Sequence, residues 1–152
     1  VVIAVRRILI REEYCMGCKL CEINCVAAQV GTGNLIKVYR YVPELPEPNV
    51  IVEEHDYVTF ALQCRNCDDP SCLKACMTGA MHRDPKTGAI RVNQEKCVGC
   101  WMCVMACPFG VIRRNTKEKK VASKCDLCAD RGTPGCVEGC PNEALVLVEV
   151  RE

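Results

Sequence analysis

Apolar residues along this chain come in short runs, each broken within a few positions by charge, glycine or proline. Residues 5–10 form a run rich in β-branched side chains, and residues 145–150 alternate as Leu-Val-Leu-Val-Glu-Val, so both ends predict strands. Between Met81 and Val92 two apolar runs flank Asp84-Pro85-Lys86-Thr87-Gly88, whose residue types suit a hairpin turn. Residues 111–122 predict a second hairpin, turned at 115–120. Residues 35–42 form a third strand-like run, ended by Pro43. A helix is expected from about Cys18 to Val30, with Gly31 as its stop. No apolar stretch approaches the roughly 18 residues of a membrane span.

Composition narrows the reading. The 152 residues suffice for one domain or two very small ones, and with 5% aromatic residues the apolar core must be small. Sixteen cysteines, about a tenth of the chain, would suggest disulfides in a secreted protein. Residues 1–10, however, carry two arginines and show neither a long apolar core nor a small-residue cleavage site. Arg6 and Arg7 sit inside an apolar run rather than in a twin-arginine leader. The expected compartment is the reducing cytoplasm, where dense cysteine points to metal.

The cysteines fall into four groups of four with none left over. They are Cys15, Cys18, Cys21 and Cys25; Cys64, Cys67, Cys72 and Cys76; Cys97, Cys100, Cys103 and Cys107; and Cys125, Cys128, Cys136 and Cys140. Runs one and three have the spacing C-x2-C-x2-C-x3-C, and prolines follow Cys107 and Cys140. A loop with a thiolate every third residue can wrap three corners of an iron–sulfur cubane. The fourth corner faces away, and in two-cluster ferredoxins the last cysteine of each run serves the other cluster. Val26 and Met77 stand where proline would follow Cys25 and Cys76, which weakens the turn signal but removes no ligand. Gly17 and Gly99, each before a second cysteine, suit a positive φ that turns N–H groups towards sulfur. The expected cofactors are therefore four [4Fe–4S] clusters.

Zinc is the rival, since four zinc sites of four cysteines each would also use sixteen thiolates. Zinc ribbons join two separate C-x2-C knuckles and have no use for the third and fourth cysteines of runs one and three. Runs two and four, taken alone, suit either metal. The formal net charge is +1, and the basic residues 113–120 read as a solvated hairpin rather than a nucleic-acid surface. Sixteen thiolates and four cores would contribute about −8, bringing the loaded protein near −7. His55 and His82 lie outside the runs and read as surface residues. No nucleotide-binding or nucleophile motif appears. The chain is expected not to be an enzyme.

An internal repeat organises the fold. Met77-Thr78-Gly79-Ala80-Met81, Pro108-Phe109-Gly110-Val111-Ile112 and Pro141-Asn142-Glu143-Ala144-Leu145 follow three of the runs. The unit reads as strand, cluster loop, short helix opened by the fourth cysteine, then strand. The expected class is α+β: two pseudo-symmetric two-cluster ferredoxin-like domains, residues 1–56 plus 111–152 and residues 57–110, built around the clusters. Metal loading and folding should be coupled.

With these runs in this order, and with Cys64-Arg65-Asn66-Cys67, Asp69-Pro70-Ser71-Cys72, Thr78-Gly79-Ala80 and Lys124-Cys125-Asp126-Leu127-Cys128, the chain resembles the electron-transfer subunits of molybdopterin and tungstopterin oxidoreductases. That group includes the β-subunit type of dimethyl sulfoxide reductase and the small subunits of aldehyde oxidoreductases, formate dehydrogenases and carbon monoxide dehydrogenases. The resemblance implies nested ligand sets. Cluster one takes Cys15, Cys18, Cys21 and Cys140; cluster two takes Cys25, Cys125, Cys128 and Cys136. Cluster three takes Cys64, Cys67, Cys72 and Cys107; cluster four takes Cys76, Cys97, Cys100 and Cys103. Pairing run one with two and three with four is the alternative, and nesting has the advantage that the terminal strands can then share a sheet.

The role that follows is a wire between a large catalytic subunit and an acceptor. The subunit expected is a tungsten or molybdenum pterin aldehyde oxidoreductase or formate dehydrogenase. The acceptor could be a flavin or NAD subunit, a soluble ferredoxin or further copies of the chain. A free-standing polyferredoxin serving carbon monoxide dehydrogenase or hydrogenase is the alternative. Residues 31–56, cysteine-free, acidic and rich in proline, are a candidate docking segment. Neither a nucleic-acid partner nor a membrane anchor is expected.

Overall fold

The computed structural model describes residues 4–117 and 120–151. Its first strand, β1 (Ala4–Ile10), pairs antiparallel with its last, β8 (Leu145–Arg151), from Ala4↔Arg151 to Ile10↔Leu145. The apolar run and the alternating run thus meet, and Ile8, Ile10 and Leu145 turn the same face to the core. Arg6 and Glu149, cross-strand partners, form a surface ion pair at 3.1 Å.

Three further antiparallel pairs complete the strands. Both predicted hairpins are present: β4 (Met81–Arg83) with β5 (Ile90–Val92), and β6 (Arg113–Asn115) with β7 (Val121–Ser123). Positions 118 and 119 in the second turn lie outside the described residues. In the first turn Asp84 accepts from the Lys86 N–H at 3.0 Å and from the Thr87 hydroxyl at 2.8 Å. That turn also docks on β1, where the Arg6 N–H donates to the Thr87 carbonyl at 3.1 Å.

The third pair, β2 (Val50–His55) with β3 (Val58–Gln63), lies where the sequence predicts no strand. Its signal is faint because Val50 and Val52 point into the core while Glu53, Glu54 and His55 carry the strand out into solvent. The hairpin turns at Asp56, which takes φ +52°, and straddles the expected boundary between residues 56 and 57.

Two expectations are corrected. Residues 35–42 form not a strand but a helix, α2 (Leu35–Tyr41). The Asn34 side chain caps it by accepting the Lys37 N–H at 3.1 Å, and fully buried Val38 packs on Val26 and Ala27 of α1 (Leu20–Val30). Capping and the i, i+3 apolar pair outweigh the β-branched composition. Secondly, the short helices are not opened by the fourth cysteines. Helices α3 (Ser71–Lys74), α4 (Met102–Ala106) and α5 (Gly135–Glu138) each carry the third cysteine of a run and end before the fourth. Cys107, ahead of Pro108, is extended at φ −78°, ψ 115°, as a residue before proline prefers. Only α1 runs through its fourth cysteine; Val26 permits this where Pro108 and Pro141 do not, and Gly31, at φ +82°, ends the helix.

Cysteines are part of both main cores. Cys21, Cys25 and Cys136 pack with Val50, Val52, Ala61 and Leu145. Cys103 packs with Met81, Ile90, Ile112 and Ala122, bordered by Cys72, Cys76, Cys97 and Cys107. Among the described residues, no helix is long and apolar enough to cross a membrane.

Candidate metal centre

Each C-x2-C loop is bent at the same place. The residue before the second cysteine has a positive φ in all four runs: Gly17 (+69°), Asn66 (+46°), Gly99 (+69°) and Leu127 (+61°). The glycine positions are legible in the sequence. Asn66 is a weaker signal, since asparagine tolerates this region, but Leu127 carries none. Its bend, unfavourable by roughly 1–2 kcal/mol, persists because the side chain is buried and its N–H donates to Cys125 Sγ at 3.4 Å. Runs one and three bend a second time, at Lys19 (φ 59°, ψ 9°) and Trp101 (φ 63°, ψ 8°), directly before their helices.

These loops and the chain reversals gather the cysteines from distant runs. Cys15, Cys18, Cys21 and Cys140 line one cavity, walled by Val52, Ala61 and Leu145. Cys76, Cys97, Cys100 and Cys103 line another, walled by Met81, Val92 and Ala122. The Cys136 thiol lies in the field of Cys125, Cys25 and Cys128, and the Cys72 thiol in that of Cys64 and Cys107. Cys67 is anchored through its backbone: Arg83 donates to the Cys67 carbonyl at 2.9 Å and to that of Asp68 at 3.0 Å. The groups are also neighbours, for Cys136 feels Cys21 and Cys125 feels Cys64. His55 is exposed, beside Asp56 at 3.3 Å, and His82 is exposed as well.

All sixteen cysteines are free thiols. Burial pushes Cys21 and Cys125 up to about 12 and raises Cys136 further, and it also raises Cys25, Cys72, Cys103 and Cys128. For Cys76 burial acts upward too, but the Met81 N–H and the Thr78 hydroxyl and N–H outweigh it and bring the thiol down. Further N–H groups aim at sulfur: Asn49 at Cys25 (3.3 Å), Met81 at Cys76 (3.4 Å) and Ala144 at Cys140 (3.2 Å). Buried thiols held neutral are poised to exchange protons for metal.

The donor set fits an iron–sulfur group. Among the described residues no three His, Cys, Asp or Glu side chains converge as ligands of a single ion. Eight of the cysteines instead surround two cavities, four to each, as a group with several metal atoms and its own acceptor sulfides requires. Two buried amide groups, Gln63 Nε2 and Asn66 Nδ2, lack an acceptor. The Gln63 amide lies against Cys136, with 3.8 Å between Oε1 and Sγ, so a half-turn would offer its N–H to a thiolate there. Neither Gln63 nor Lys124 carries a role that the sequence alone assigns.

Comparison with known proteins agrees with this chemistry. Residues 55–150 match the family described as the 4Fe-4S dicluster domain. The chain is 39% identical over 151 residues to the putative oxidoreductase AegA of Escherichia coli K12, aligning 94% of itself but only 22% of that protein. It is 35% identical to the E. coli K12 electron transport protein HydN, across 95% of this chain and 88% of HydN. Against one subunit of the anaerobic dimethyl sulfoxide reductase of the same organism identity is 36%, across 90% of this chain and 69% of that subunit. A protein of the active site complex BamBC of benzoyl coenzyme A reductase shares the fold at TM-score 0.53 and 19% identity, covering all of this chain and 81% of that one.

Proposed function

Since this chain belongs to the 4Fe–4S dicluster domain family, we propose that it is a non-catalytic electron-transfer subunit holding four [4Fe–4S] clusters in series. The observation that carries the reading is the pair of cavities lined by four cysteines each, one set from runs one and four and the other from runs two and three. The remaining eight cysteines complete two inner sets: Cys25, Cys125, Cys128 and Cys136, and Cys64, Cys67, Cys72 and Cys107. The mutual fields of Cys136 with its neighbours and of Cys72 with Cys64 and Cys107 support that grouping. When bound, each cluster supplies a one-electron carrier, and the protein tunes its potential by burial, charge and hydrogen bonds to sulfur.

Shared packing among the cysteines supports the order of the series. Cys21 with Cys136, Cys125 with Cys64, and Cys72 with Cys103 in one core make set one neighbour set two, two neighbour three and three neighbour four. All-cysteine ligation leaves no open iron for a substrate. The matching bends at Gly17 with Lys19 and Gly99 with Trp101 support two pseudo-symmetric units, residues 1–56 plus 111–152 and residues 57–110. Exposed apolar side chains stand beside the outer sets, where partners would dock: Tyr14 and Met16 line the first cavity and Val98 the fourth set's, and Met77 and Met102 adjoin Cys76 and Cys103 in sequence. Sixteen unpaired cysteines suit a reducing, cytoplasmic compartment.

The partner we propose is a catalytic oxidoreductase subunit, a molybdenum or tungsten pterin enzyme such as an aldehyde oxidoreductase or formate dehydrogenase. The likeness to a dimethyl sulfoxide reductase subunit favours a dedicated partner. The near full-length likeness to an electron transport protein favours a free-standing carrier. Anaerobic affinity purification separates them: a stoichiometric large subunit supports the first, and a chain that purifies alone the second. The wire itself is tested by iron and acid-labile sulfide analysis with a potentiometric titration. Four one-electron centres are expected; fewer would overturn it.

A further inference from the structure

Lys124 is a charged side chain inside the protein, only 6% exposed. Its Nζ donates to the Ile90 carbonyl and, at 2.6 Å, to the Cys125 carbonyl. Ile90 belongs to the core that holds Cys103 and is bordered by Cys72, Cys76, Cys97 and Cys107, while Cys125 lies in the small core with Leu127 and Cys64. The side chain thus ties the core of the third and fourth cysteine sets to that of the second, and its field reaches Cys72 of the third set and Cys125 of the second. Among the described residues no carboxylate stands within ion-pair distance of it. Asp126 and Asp130, close in sequence, are engaged by Arg91 at 3.8 and 3.1 Å.

A buried cation without an acid is unfavourable unless negative charge faces it. That charge is available on both sides. The sulfurs of Cys72 and Cys125, ligands in the four-cluster reading, both lie within the field of Lys124. Lys19, which borders the first set, differs: it is exposed and paired with Glu54 at 3.3 Å, so its field is largely spent in solvent.

We infer that Lys124 is a positioning residue for electrons, the fixed counter-charge that raises the reduction potentials of the two inner clusters above those of the outer pair. The inference rests on the four-cluster reading. One-electron reduction adds one negative charge to a cluster, and an ammonium at this place stabilises most the reduced forms of the two clusters whose sulfurs it faces. Electrons therefore rest in the middle of the series, available to either end.

The test compares the unmutated protein with Lys124→Met and Lys124→Arg by anaerobic potentiometric titration followed by electron paramagnetic resonance. Iron and sulfide content is measured on each protein. In Lys124→Met two of the four midpoints should fall, so that at the original midpoint the reduced-to-oxidised ratio of those centres drops about tenfold, equivalent to about 59 mV. The other two should stay, and Lys124→Arg should keep all four. A uniform shift of all four, or none, overturns the inference while leaving the cluster count intact. If Lys124→Met loads incompletely, Lys124→Gln, which keeps a donor for the two carbonyls, takes its place. Failure of both to load, with Lys124→Arg loading fully, would assign the charge to assembly instead and equally overturn it. Fewer than four centres in the unmutated protein would strike the underlying reading instead.

Discussion

A Cβ added to Gly99 would stand 2.5 Å from the carbonyl oxygen of Lys120. The third cysteine loop therefore lies directly against the strand-bearing segment that leads into run four. The contact demands glycine twice, for space and for φ +69°. Gly99→Ala should destabilise the protein by about 2–3 kcal/mol, strain and overlap together. Gly31→Ala, with nothing within 4 Å of the added carbon, should cost only about 1 kcal/mol for its φ of +82°. Denaturant midpoints, followed by bleaching of the cluster absorption near ~400 nm, check the order of the two.

Cys140 lines the same cavity as Cys15, Cys18 and Cys21 although it closes the last run. Cys140→Ser and Cys18→Ser should therefore damage the same centre, and the double variant should lose little more than either single one. Cys140→Ser combined with Cys128→Ser should damage two. Iron analysis, with a loss of about four atoms per damaged centre, distinguishes nested from sequential pairing.

The Asp84 carboxylate is held below the usual carboxylate range by the Lys86 N–H first and then by the Thr87 hydroxyl. A depressed folded value means stability that is present above the unfolded value of about 4 and lost as pH falls through the folded one. Asp84→Ala should weaken the β4–β5 turn by about 1 kcal/mol, and the loss should be constant between about pH 6 and 8. Denaturation of both proteins at several pH values measures it.

Cys21 and Cys125 are raised to about 12 by burial, which has the opposite sign. In the iron-free chain their neutral burial contributes stability below the unfolded value of about 8.5, and that contribution is lost as pH rises from there towards about 12. Chelation of iron should already remove most helical circular dichroism, since the clusters occupy much of the core. Any residual structure should fade as pH is taken from 7 to 10, while the loaded protein holds its spectrum. An iron-free chain that keeps its full spectrum at pH 10 contradicts this.

Local chemistry is legible where a residue has only one use. The cysteine runs, Gly17, Gly99, Gly31 and the Asp84–Gly88 turn each announce their conformation by residue type, and the structure bends at each of them. Residues 35–41 read differently in sequence and in structure because Ile36, Val38 and Val42 favour a strand by composition. The cap at Asn34 and a partner face on Val26 and Ala27 decide for a helix. The β2–β3 hairpin hides behind a charged half-strand. Its buried alternation of Val50, Val52, Ala61 and Gln63 is defined only by the core that receives it.

By itself the sequence determined the metal chemistry and the loop bends around it, because cysteine spacing and left-handed residues act over a few bonds. Only the tertiary structure showed Cys140 lining a cavity with Cys21, as the family resemblance alone had implied, and decided that Leu127 accepts a bend its type disfavours and that Lys124 is buried against the Ile90 and Cys125 carbonyls. Those relationships depend on β1 pairing with β8 and on which side chains lose their water. Both are settled by contacts between segments far apart in the chain.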